Sequence, residues 1–187
     1  MNKMETIIGV FSERVNAEKA IADLERKGYS PRDLSVIVRE KDVVTPVKAG
    51  SKGGNAVSGA LSGAATGGVI GGITGLLIGV GAVTIPGIGA FLIGGPLAAA
   101  LGLTGAAAVT ASGVTTGLLA GGLLGGLVGL GVPEEAARIY EQRVREGAVL
   151  LAVPAATEEK REEIRGIFDR YGADQTRTIG EMSFERL

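Results

Sequence analysis

The sequence predicts an α+β fold: a ferredoxin-like four-stranded domain built from both termini, carrying an inserted all-α glycine-zipper helical hairpin. Three observations lead there. The 19 basic and 20 acidic residues all fall in Met1–Lys52 and Glu134–Leu187, and the 81 residues from Gly53 to Pro133 hold none. Inside that run glycine recurs at every fourth position in two series, Gly59, Gly63, Gly67, Gly71, Gly75, Gly79 and Gly113, Gly117, Gly121, Gly125, Gly129. Both charged arms read as strand, helix, strand, and an arm of roughly 50 residues buries too little apolar surface to fold alone. The chain therefore divides into 1–52, the first half of the head; 53–133, the apolar insert; and 134–187, the second half.

The first arm opens on Thr6-Ile7-Ile8-Gly9-Val10-Phe11, a β-branched run that reads as strand one. Asn16 is the expected N-cap of the next helix, whose apolar stripe is Ala17, Ala20, Ile21 and Leu24, and Gly28 closes it. Ser30-Pro31-Arg32-Asp33 is a turn signal and Leu34–Val38 a second strand. Arg39–Lys52, of mixed charge with Pro46, Gly50 and Ser51, reads as the linker into the insert.

Residues four apart share a helix face, so each glycine series strips one stripe of side chains and lets another backbone come close. In water each interior glycine costs a helix about 1 kcal/mol relative to alanine. In a bilayer unsatisfied backbone groups cost more, so the helix is enforced. Helices over about Ala56–Val83 and Ala106–Leu130 are expected, each long enough to cross a hydrocarbon core of about 30 Å. Pro86 and Gly87 are expected to break the first, with a short helix opened by Pro96 inside the apolar piece Ile88–Leu103. Against the membrane stand a single aromatic in the insert, Phe91, and a slight charge bias at its ends.

The second arm starts with Pro133-Glu134-Glu135 at a helix N-terminus, where acids suit the macrodipole. Its buried stripe is Ala136, Tyr140 and Val144, and Gly147 ends it. Ala148–Val153 is almost wholly apolar, as a central strand covered on both faces would be. Thr157 caps a last helix with Ile164, Ile167, Phe168 and Tyr171 on one face, and Gln175–Ile179 is the last strand. Gly28-Tyr29 and Tyr171-Gly172 mark the same joint in the two arms.

The chain has no Cys and no His, which removes thiol and histidine catalysis, disulfides and Cys/His zinc sites. A net charge of −1 offers nothing to nucleic acid. Neither a G-x-G-x-x-G nor a G-x-x-x-x-G-K-[ST] pattern is present. Glu134-Glu135 and Glu158-Glu159 begin helices, where dipole effects already account for them. No catalytic, cofactor-binding or metal-binding residues are expected, and no cofactor.

The phrases Ile8-Gly9-Val10-Phe11, Gly28-Tyr29-Ser30-Pro31, Ile85-Pro86-Gly87-Ile88-Gly89, Gly95-Pro96-Leu97-Ala98-Ala99, Gly131–Ala136, Tyr140-Glu141 and Gly147–Leu150 resemble bacterial general stress proteins. These are described as heat-induced or low-temperature-induced, with a glycine-rich centre. The resemblance implies a stress-associated bacterial protein, often predicted to be membrane-bound, and brings no catalytic residues.

The expected function is non-enzymatic: a homo-oligomer with a cytoplasmic head whose zipper hairpin enters the inner membrane and self-associates there, both termini remaining cytoplasmic. The start of the chain shows no secretory signal. Two other readings stay open. One is a pore walled by zipper helices; the other is a soluble assembly in the cytoplasm with the insert as its buried core. The partners expected are other copies of the chain and the bilayer, with neither nucleic acid nor metal.

Overall fold

A computed structural model describes residues 5–39, 81–85, 89–100 and 116–180. Its elements are β1 (Glu5–Phe11), α1 (Arg14–Arg26), β2 (Ser35–Arg39), β3 (Gly81–Ile85), β4 (Gly89–Gly94), α2 (Pro96–Ala100), α3 (Thr116–Gly129), α4 (Glu134–Arg145), β5 (Val149–Ala155), α5 (Glu158–Arg170) and β6 (Ala173–Ile179). The strands form one sheet in the order β3-β4-β2-β5-β1-β6, and every neighbouring pair is antiparallel.

Side chains alternate between the faces of a strand, and here both faces are packed. Ile7, Phe11, Val36, Val38, Val149, Leu151 and Val153 meet Ala17, Ala20, Ile21 and Leu24 of α1 and Ile164, Ile167 and Phe168 of α5. Ile8, Val10, Ile37, Leu150 and Ala152 point the other way, to Leu123 and Leu127 of α3 and Ala136, Ala137, Tyr140 and Val144 of α4. β5 lies between β2 and β1 with Val149–Val153 buried on both sides, as its unbroken apolar sequence demands.

The insert departs from the expected all-α hairpin. Residues 81–83, expected to end the first zipper helix, open strand β3, and residues 89–94 form β4, so the sheet has six strands rather than four. Val83-Thr84-Ile85 is β-branched, and Pro86-Gly87 stands between two short apolar runs, which is a hairpin signal as much as a helix breaker. β4 pairs with the edge of β2 from Val36↔Gly94 to Arg39↔Phe91, so the backbone groups of that edge find partners inside the protein. Pro96 does open a helix, described over Pro96–Ala100.

Smaller departures have local causes. α1 begins two residues before Asn16; Glu13 is its N-cap, without a side-chain cap bond. Arg14 pairs with Glu18 one turn on at 2.8 Å, which ties down that first turn. Thr157 caps α5 as expected, its hydroxyl accepting the Lys160 N–H at 3.3 Å. β6 starts at Ala173 and slips register against β1 between Ile8 and Val10, with Gln175 at φ 55.

Candidate functional site

The glycine-rich insert is the part of the chain without an ordinary structural explanation in its sequence. Gly59, Gly63, Gly67, Gly71, Gly75, Gly79 and Gly113, and the turn residues Pro86 and Gly87, lie outside the described residues. Gly117, Gly121, Gly125 and Gly129 lie on α3, but α3 is not one straight helix: Gly122 has φ 61 and ψ −149. That region is open essentially to glycine alone, so Gly117 and Gly121 are separated by a break from Gly125 and Gly129. Gly129 is exposed, and a methyl group added there would meet nothing within 4 Å.

Helix α3 turns back along α4 and sets Leu123, Leu127 and Leu130 into the core. Past the break at Gly122 the chain resumes helical geometry. Its Leu124 N–H is donated to Oε2 of Glu141 on α4 at 2.9 Å, and the other oxygen of that carboxylate pairs with Arg145 at 2.8 Å. A carboxylate at a helix N-terminus satisfies an orphan donor and suits the macrodipole. Glu141 thus does for α3 what a capping side chain would have done from within.

The strand–helix corner between β4 and α2 is equally tight. Gly95, at φ 79, lies so close to β2 that a Cβ would sit 2.0 Å from the Leu34 carbonyl oxygen. The buried Ser35 hydroxyl accepts the Leu97 N–H at 3.1 Å, serving the first turn of α2.

Polar residues elsewhere join elements rather than line a cleft. Between α1 and α5, Asp23 accepts from Arg170 at 2.9 Å and from the Tyr171 hydroxyl at 3.4 Å. Tyr29 donates to Glu163 at 3.0 Å under the Lys160 ammonium, 5.5 Å from its ring; burial and then the Glu163 carboxylate hold its hydroxyl well above the usual phenol range. On the other face Arg143 bonds both Ser12 and Asp174 at 2.8 Å, fastening α4 to the β6 edge. Tyr140 is fully buried and donates to the Gln175 carbonyl at 3.0 Å, and burial pushes its pKa up to about 12 against the pull of nearby Arg177. Among the described residues no group of three acidic, His or Cys side chains is placed to hold a metal ion, and no helix is long and apolar enough to cross a membrane.

The residues that organise this site, Gly122, Glu141, Gly95 and Ser35, escaped the sequence. Glu141 sits among ordinary helix charges, and only the fold brings it to an amide 17 positions away. The Gly121-Gly122 pair was the available signal, since paired glycines allow helix breaks.

No curated protein and no solved structure matches the chain. Residues 6–84, from β1 into β3, match the family model described as the Heat induced stress protein YflT domain. Over that stretch, which takes in the phrase Ile8–Phe11 and reaches β3, the chain is similar to the heat-induced stress proteins, in line with the bacterial general stress proteins that its sequence resembles.

Proposed function

We propose that this stress protein is non-enzymatic and self-associating, with a ferredoxin-like head in the cytoplasm and its glycine-rich segments as the contact between copies. One observation carries the reading. Residues 81–85 and 89–94 of the charge-free run join the sheet, and the run also carries two series of glycines at every fourth position, Gly59–Gly79 and Gly113–Gly129. The glycine spacing in the first of these suits close contact between helices. The strand order β6-β1-β5-β2, with α1 and α5 on one face, supports the ferredoxin-like head.

The membrane hairpin is the second reading, favoured by the same absence of charge. Its difficulty is geometric. β2 ends at Arg39 and β3 begins at Gly81 in one sheet, so the chain between them returns to the side it left. An even number of crossings is required, and two helical crossings need about 40 apolar residues. The uncharged stretch 53–80 offers 28.

The test is fractionation of cells expressing the full chain, with carbonate and detergent extraction and mass measurement of the released protein. A species several times the 18.9 kDa chain, recovered without detergent and dissociated by Gly67→Leu, is expected. Release by detergent alone selects the membrane reading, and a monomer at every concentration overturns self-association.

A further inference from the structure

The break in α3 and the carboxylate beside it form one device. From these contacts we infer that Glu141 is a releasable latch, holding residues 122–130 in a broken, docked form on the sheet. At Gly122 the chain leaves helical geometry, and at Leu123 it resumes. The residue at such a restart ordinarily offers an oxygen to the N–H groups of the first turn; glycine has none. Glu141 reaches across from α4 and supplies it, with its side chain only 13% exposed and Arg145 bound to its second oxygen.

α3 has no means of replacing that bond. It carries no charged residue, and its Thr116 stands on the far side of the break. Among the described residues, the Glu141 bond is the side-chain hydrogen bond that joins α3 to α4. The remaining attachment is apolar packing by Leu123, Leu127 and Leu130, and the hydrophobic force behind it is non-directional. The glycine break and the carboxylate together choose the docked position. Release would expose those leucines and open the cluster they share with Phe91, Ile93 and Tyr140. The use of that surface by a second copy rests on the self-association proposed above; the latch does not.

Amide hydrogen exchange on the full chain tests it, comparing wild type with Glu141→Ala and Glu141→Gln. The alanine variant is expected to speed exchange over residues 123–130 by about tenfold or more, the scale of one lost charge-assisted bond, while α1 and α5 keep their protection. The glutamine variant retains an oxygen that can accept from Leu124 and should fall between. Unchanged protection at 123–130 overturns the latch, as does a uniform acceleration across all helices. Masses are read on the same samples. A larger species in Glu141→Ala supports both ideas, whereas local opening at unchanged mass leaves the latch standing and removes α3 from the self-association reading.

Discussion

Helices α1 and α5 on one face of the sheet and α3 on the other achieve burial by opposite means. α1 and α5 are dense in charge, bury a stripe of Ala, Ile, Leu and Phe, and fasten to each other through Asp23–Arg170 and Tyr29–Glu163. α3 is uncharged throughout, is broken at a glycine, and is tied to its neighbour through a backbone amide. A charged helix is amphipathic, so it has one face to bury and another that water keeps outside. An uncharged helix has no such preference. Its position must come from shape and from a specific bond, and for that reason the second cover is where movement is expected.

That contrast is open to attack at four places. The largest effect is expected at Gly95→Ala, where the added carbon meets backbone 2.0 Å away in a positive-φ conformation. A loss of about 3 kcal/mol or more in urea unfolding would show that the insert's strands are integral to the head. If the loss were negligible, the β4 edge would be dispensable and the six-stranded sheet divisible. Next comes Gly9→Ala on the opposite face, where the methyl would lie 2.5 Å from Cδ2 of Phe168. That ring packs edge-on against Phe11 at 5.3 Å, and displacing it should cost about 1–3 kcal/mol.

Tyr140 measures the grip of α4. Its folded pKa of about 12 exceeds the ordinary 10.0, so the folded state holds the proton more tightly than the unfolded one. Stability from this group is complete below about pH 10 and is lost as pH rises towards 12. Tyr140→Phe should cost about 1 kcal/mol near neutrality, by leaving the Gln175 carbonyl unpaired, and should flatten the alkaline decline. Part of that decline should survive, because Tyr29 titrates high as well. An unaltered alkaline curve would show that Tyr140 is not held as described.

The smallest effect belongs to Gly129→Ala. With open space around it, the methyl should leave the single chain intact or stabilise it by about 0.5 kcal/mol. Loss of self-association at unchanged stability would place Gly129 against another copy, and equal mass for both proteins would confine the contact to other glycines.

Much of the charged part was legible because its signals are local. Thr157 before Glu158-Glu159, Gly28 after Arg26, and the unbroken apolar Val149–Val153 each state an element on their own terms. The insert was harder. Its glycines suggested close helices, but glycine and small apolar residues have little preference that distinguishes helix from strand once the partner is unknown. Gly81–Gly94 became a hairpin because the edge of β2 was there to pair with, and that edge is formed by residues more than 40 positions earlier.

By itself the sequence determined the separation of charged arms from a charge-free centre, the helices and strands of those arms, and the absence of thiol and imidazole chemistry. Those properties depend on composition and on spacings of a few residues. Only the tertiary structure decided that the centre lends two strands to the sheet, that α3 breaks at Gly122, and that Glu141 meets the amide the break exposes. Each of these joins groups distant along the chain, and what selects them is the need to pair backbone donors and acceptors wherever folding takes them out of water.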